Sequence, residues 1–433
     1  MISKFNNREV KRKEIIAFNL LIAIYFYSSG NFGLTNIFGY RREIQFILLL
    51  TIFIGFSILI KHIRVKLTNP VLIFSLTSVL FAIVNIDIWL SVVSFLISIL
   101  LVLVILNETK SEIRSLIWMI AGLSFVFSLF AFFQLIYFWL YLSYVPGLMG
   151  GYSSGMLAEK VRISHPIQYL GFIDTLRSIY LFGIRVPRFY SYAPEPSVLA
   201  YSFLAPAFAG MFFKGRIRVF SFVILAFILF LAQSGTLWLA FFMSAVLFLL
   251  FNTFKRIIKK RSKQFALIVM FLIPLFFYSL SNFGLSSVVS TFFYDNQSWI
   301  GEISTIAGTK ENSARERIFY MEEGWRIVLA NPLGYHGNFK TVGGALLVHY
   351  GLFGGFLGIG VVAYLFYHIV AKLGNAFYLN EGFLKKWSIA GLLGVIFVAV
   401  FFSGYGWYTT PGIVMLAIIF KLADMSRIIG DEL

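Results

Sequence analysis

Ten of the chain's Lys and Arg residues sit in two polar stretches of an otherwise apolar sequence. Lys160, Arg162, Arg177, Arg185 and Arg188 fall in residues 145–196; Lys310, Arg315, Arg317, Arg326 and Lys340 fall in 283–342. A guanidinium forks onto two oxygens at once, so grouped arginines suit a phosphate. The first stretch ends in "RFYSYAPEPSVLA" (188–200), where Arg188 is followed by Tyr190, Tyr192 and a glutamate, Glu195, between Pro194 and Pro196. Proline is tolerated in a first helical turn, so a helix is expected over 197–213, beginning beside Glu195. Its free N–H groups and positive dipole end would favour an anion. Glu195 has three readings: a helix-capping charge, a partner for an arginine, or a general base.

The second stretch holds "SARERIFYMEEGWRIVLANPLG" (313–334). Ser313 and Glu316 form a capping box, and Asn331-Pro332 is a stop. An amphipathic helix is therefore expected over about 313–330, with Arg315, Glu322 and Arg326 on one face. Glu322 and Arg326 are a favourable i,i+4 pair; Phe319, Trp325 and Leu329 supply apolar contact. Such a helix either lies on a lipid surface, with its arginines on lipid phosphates, or covers a bound phosphate. His336 in "NPLGYHGN" and His349 in "ALLVHYGLFGG" follow closely and are candidates for the same site, beside a purely structural reading of each. Cysteine is absent, and the five histidines show no HxxxH or HExxH spacing, so no metal and no cofactor are expected.

These residues need elements to hold them. The chain has 433 residues, is 59% hydrophobic and carries only 13% charged residues. A soluble domain is near 25% charged, so the expected class is an all-α polytopic membrane protein, a single transmembrane domain over 1–433. Apolar runs fit twelve spans, at about 15–34, 44–60, 70–86, 88–106, 116–143, 197–213, 219–233, 236–254, 265–282, 343–369, 388–405 and 411–424. With both termini cytoplasmic, the inner segments hold 24 of the 36 Lys and Arg residues, as the positive-inside rule requires. The formal charge of +17 is then topological, and no nucleic-acid partner is needed. Two long outer loops remain, 145–196 and 283–342, and there the arginines run against the topological bias.

Three blocks, in order and on one side, carry a resemblance: "RVPRFYSYAPEPSVLAYSFLAP", "SARERIFYMEEGWRIVLANPLGYHG" and "ALLVHYGLFGGFLG". A short "QSGT" (233–236) lies between two spans. The chain resembles the bacterial O-antigen polymerase and O-antigen ligase superfamily. That resemblance implies a GT-C-like helical membrane fold, with short helices in the outer loops, in the bacterial inner membrane with its site on the outer face. It implies an inverting, metal-independent glycosyltransferase whose partners are undecaprenyl-pyrophosphate-linked glycans and membrane lipids, with a chain-length regulator protein a further candidate. The family's pyrophosphate-binding arginines map onto Arg188 and onto Arg315 or Arg317. Glu195 and His349 are candidates for the base, and Arg185, Tyr190, Tyr192, Arg326, His336 and Lys340 for substrate binding.

The ligases carry His-Asn about ten residues before the glycine motif. Lys340 and Thr341 stand there in this chain, which points toward the polymerases. A ligase that passes finished glycan to lipid A core is the alternative within the superfamily. A flippase or transporter of lipid-linked sugars is the alternative of another class. It would call for paired halves and polar residues at mid-membrane.

Overall fold

The computed structural model describes residues 2–28, 47, 50–56, 68–84, 89–137, 172–181, 184–191, 200–232, 235–282, 326–333, 342–380, 382–402 and 410–429. They are helical apart from one hairpin and short turns. The helices are α1 (Ile2–Ser28), α2 (Pro70–Val84), α3 (Trp89–Asn107), α4 (Lys110–Tyr137), α5 (Ala205–Met211), α6 (Arg216–Ala226), α7 (Gly235–Thr253), α8 (Lys255–Asn282), α9 (Val342–Leu379), α10 (Phe383–Phe402) and α11 (Thr410–Ile429). Residues 50–56 and 326–330 are helical too. Two π-helical segments, π1 (Ala200–Leu204) and π2 (Phe227–Ala232), adjoin α5 and α6. Every apolar run read from the sequence contains helical residues. Two stretches, Lys110–Phe133 and Gly354–Leu379, are long and apolar enough to cross a membrane by length and composition.

The helix starts follow local chemistry. Asn69 caps α2, its side-chain oxygen accepting the Val71 N–H at 3.0 Å, with Pro70 at the first helical position. Glu112 reaches back to the Thr109 N–H at 2.7 Å to close the start of α4. At α6 the preceding Gly215 takes φ 85°, a conformation in which a side chain would be strained, and no side chain caps the helix. Helix α8 breaks at Arg261 (φ −143°, ψ 49°), which separates its basic first turns from the apolar run that begins near 265.

The core is built around π1 and α5. Every residue from Ser202 to Phe213 is buried. A helix that is apolar all round belongs in an interior, and this one touches α4, α6, α10 and α11. Small residues allow close approach. A Cβ at Gly391 of α10 would overlap the Phe208 ring, and one at Gly394 would lie 2.7 Å from the Ala240 carbonyl oxygen of α7. The Ser388 hydroxyl adds a short hydrogen bond to the Phe208 carbonyl.

The bundle has two distinct ends. Helices α4, α6 and α10 begin at one, and α5, α7 and α9 finish there. Rings knit it together: Phe248 lies 5.7 Å from Phe377 and 5.3 Å from Phe383, and Phe251 lies 5.3 Å from Phe265. Lys421 of α11 donates to the Leu106 carbonyl of α3 at 2.8 Å, and Lys372 pairs with Asp424 at 2.5 Å. The segments read as inner (107–115, 214–218, 255–263, 370–387) therefore gather at one end, the basic end.

The hairpin was not foreseen. Strand β1 (Phe172–Leu181) pairs antiparallel with β2 (Ile184–Ser191), with an irregular register between Asp174 and Ile179. The first long loop was expected to carry short helices. "FIDTLRSIYL" and "IRVPRFYS" are instead rich in β-branched and aromatic residues, separated by Phe182-Gly183, a composition that favours a hairpin.

Candidate functional site

Two arginines of the first long loop, Arg185 and Arg188, lie on β2, and Arg177 lies on β1. Arg188 is opposite Asp174 and Arg185 opposite Tyr180 in the ladder, with Tyr190 two residues beyond Arg188. Strand β2 packs against α4 and π2. The segment from Arg216 to Ala232 spans roughly 25 Å at 1.5 Å per residue, so π2 holds the strand at the end of the bundle remote from α6's start.

What fixes π2 is a polar and aromatic node in the apolar interior. Pro206 has no N–H with which to close an α-type bond to the Ser202 carbonyl. That carbonyl instead accepts the Tyr27 hydroxyl at 2.8 Å. Tyr27 also makes a short hydrogen bond with Ser124 and reaches the Ile120 carbonyl at 3.3 Å. Its ring meets Phe127 at 5.1 Å and Phe203 at 5.9 Å, both edge-on, and Phe203 meets Phe227, the first residue of π2, at 5.8 Å. Edge-to-face pairs at such distances add to burial. One buried tyrosine thus ties α1 and α4 to both π-helical segments, one of which leads out of the Glu195 stretch while the other supports β2. Departures from α-geometry inside helices often accompany functional sites.

No family model matches the chain, and no curated protein or solved structure does either.

Two of the second group of candidates, Arg326 and His349, fall in described elements that meet at α9. Residues 326–330 are helical and end at Asn331-Pro332, the stop read from the sequence. The Asn331 backbone N–H and side-chain amide both donate to the Ile327 carbonyl, at 2.8 and 3.2 Å. The Pro332 carbonyl then accepts the N–H of Leu352, inside α9, at 3.0 Å. That bond holds the Arg326 segment against the helix carrying His349, one turn before Leu352. Leu352 is 27 residues from the end of α9, roughly 40 Å, so this group too lies far from the basic end. Arg326 is exposed. The apolar contact expected of Leu329 is made by its neighbour: Val328 is 1% exposed and Leu329 72%. On a helix adjacent residues face directions about 100° apart, so at this point the buried face passes through Val328 and not Leu329.

Glu195, Tyr192, Arg315, Arg317, His336 and Lys340 lie outside the described residues, as do the side chains of Arg185, Arg188, Tyr190 and His349. The structure therefore places two backbone groups away from the basic end: Arg185, Arg188 and Tyr190 on β2, and Arg326 with His349 at the Pro332–Leu352 bond. Sequence reasoning missed Tyr27, Ser124 and Pro206 as the residues that hold the first group. The available signal was Pro206 four residues after Ser202, which leaves a buried carbonyl needing a donor from elsewhere.

Proposed function

We propose that the chain is a polytopic membrane glycosyltransferase that polymerises undecaprenyl-pyrophosphate-linked oligosaccharide repeat units, at the outer face of a bacterial inner membrane. The observation that carries this reading is the arginine-bearing strand β2 braced on α4 and π2, remote from the basic end. The membrane setting is supported by large apolar side chains turned outward from helices, including Phe271 at 77% exposed, Leu249 at 64% and Phe53 at 57%. The orientation is supported by the gathering of the basic segments at one end.

In the reaction, a hydroxyl at the non-reducing end of a newly delivered lipid-linked unit attacks C1 of the growing glycan on its carrier. The new C1–O bond forms as the bond to pyrophosphate breaks, and C1 inverts. The bonding pair leaves on the pyrophosphate oxygen, and the hydroxyl proton passes to a base, for which Glu195 and His349 are the candidates. Arg188, with Arg315 or Arg317, neutralises the charge that develops on the leaving group; Arg185, Arg326, His336, Lys340, Tyr190 and Tyr192 line the approach. A charge-stabilising donor of this kind contributes on the order of 10²–10³ in rate.

The glycan profile of a deletion strain tests this reading. One-repeat glycan on its final acceptor supports the polymerase. Unattached long glycan on the carrier lipid would instead identify a ligase, and units stranded inside would identify a flippase.

A further inference from the structure

The basic end holds a concentration of cations that the reaction above does not use. Five of them converge on one turn of chain, the Phe212–Phe213 pair that follows α5. Arg114 lies over the Phe213 ring at 5.9 Å, and Arg218 donates from Nε to the Phe213 carbonyl at 3.0 Å. Lys385 lies over the Phe212 ring at 5.9 Å. The two rings are edge-on at 5.7 Å, so the three cations are held around one aromatic platform. Lys214 follows Phe213 directly and is exposed, and Lys110 stands one helical turn before Arg114 on α4. The cluster is assembled from three separate parts of the chain: α4, the turn into α6, and the start of α10.

Such convergence opposes itself. Burial pushes the Lys385 ammonium down from its ordinary range, and Lys214, Lys110 and Arg218 push it further the same way. Among the described residues, none of the five cations pairs with a carboxylate. Of the acids at this end, Glu112 closes the Thr109 N–H, Asp424 holds Lys372, and Glu108 is buried, which holds its carboxyl toward the neutral form. A positive-inside bias places lysines in these loops but does not require them to meet. Left to themselves, long cationic side chains would spread into water.

We propose that the cations Lys110, Arg114, Lys214, Arg218 and Lys385 bind a phosphate group at the basic end of the bundle, separate from the arginine-bearing hairpin. The geometry suits phosphate: two forked guanidiniums and three ammoniums surround one apolar platform. The adjacent start of α6, which lacks a side-chain cap, adds backbone donors. At a membrane the group would be the headgroup of an anionic phospholipid, with its acyl chains along the bundle. In solution it would be a free phosphate.

Native mass spectrometry of the detergent-purified full chain tests the site, with phosphatidylglycerol and phosphatidylcholine as competing probes. Wild-type protein should retain phosphatidylglycerol in preference to phosphatidylcholine. Retention should fall at least about tenfold in Lys214→Gln/Arg218→Gln/Lys385→Gln and stay unchanged in Lys255→Gln/Lys263→Gln, which removes two cations at the same end outside the cluster. Lys214→Gln alone, at an exposed position, serves where the triple variant folds poorly, and should lower retention in the same direction. A parallel melting series in inorganic phosphate separates the sources: a shift that depends on the cluster, without lipid retention, assigns the site to free phosphate. Equal retention by wild type and both cluster variants, with no such shift in phosphate, would overturn the proposal.

Discussion

The two ends of the bundle are both rich in cations, but they hold them by different means. At the basic end the cations stand on helix starts and against rings, and their positions follow from helix packing: Arg114 and Lys385 flank Phe213 and Phe212 at 5.9 Å each. At the far end the arginines are carried on non-helical or short segments that the bundle grips from outside. Strand β2 is braced by α4 and π2, and the Arg326 segment is joined to α9 by the Pro332–Leu352 bond. Charge at the first end has a topological reason to exist. Charge at the second has none under that rule, which is the ground for proposing a site there. The rigid interior between them, Ser202 to Phe213, connects the two: one end of this buried run enters from the Glu195 stretch, and the other delivers Phe212 and Phe213 to the basic cluster.

Breaking that interior should damage both ends together. The largest effect on folding is expected at Gly391→Leu, which drives a side chain into the Phe208 ring and should cost about 3 kcal/mol or more; thermal melting in detergent should show it. Tyr27→Phe is next. It removes the hydroxyl donor to the Ser202 carbonyl and should cost about 1–3 kcal/mol. Because that bond holds π1, which carries Phe203 against Phe227 of π2, the variant should lose polymer length as well as melting temperature. A lower melting temperature with normal polymer length would mean that the node stabilises the fold without positioning β2.

Glu108, between α3 and α4 at the basic end, separates local electrostatics from function. It is 3% exposed, and neither carboxyl oxygen has a hydrogen-bond partner among the described residues. Burial, then the charge of Glu112, pushes its carboxyl well above the ordinary range, while Lys421 and Asn19 act the other way. The folded state therefore keeps the proton to higher pH than the unfolded chain does. Stability from this group is present below the ordinary carboxylate range and is lost as pH rises through the folded value. Glu108→Gln should melt higher than wild type by about 1–3 kcal/mol of stability near neutral pH, and the gap should close as pH falls toward 4. A gap that widens on acidification would reverse the assignment. The smallest effect is expected for Lys214→Gln, within about 0.5 kcal/mol, with polymer length unchanged.

Much of the fold is legible in the sequence because its main signal is simple. Long apolar runs in a chain with few charges form helices, and every such run does so here. Asn331-Pro332 ends its helix because proline disfavours the helical region for its predecessor. The hairpin is harder to read because the charges of "FIDTLRSIYLFGIRVPRFYS" suggest a polar loop, although its β-branched and aromatic content points to strands. The π-helical segments and the Tyr27 node were out of reach, since which donor meets the Ser202 carbonyl depends on how α1 packs on α4. The same holds for the basic cluster: the sequence places the cations on one side, and only the packing of α4, α6 and α10 brings them to one aromatic platform.

The central claim is that the hairpin-end arginines, and not the basic-end cations, act on the departing pyrophosphate. The direct measurement is undecaprenyl pyrophosphate release from a purified lipid-linked repeat unit, compared among wild type, Arg188→Ala, Arg317→Ala and Lys214→Gln/Arg218→Gln/Lys385→Gln at matched protein. Release should fall by about 10²–10³ in each of the two arginine variants without a change in melting temperature, and the basic-end variant should release at the wild-type rate. Wild-type release by both Arg188→Ala and Arg317→Ala would contradict it.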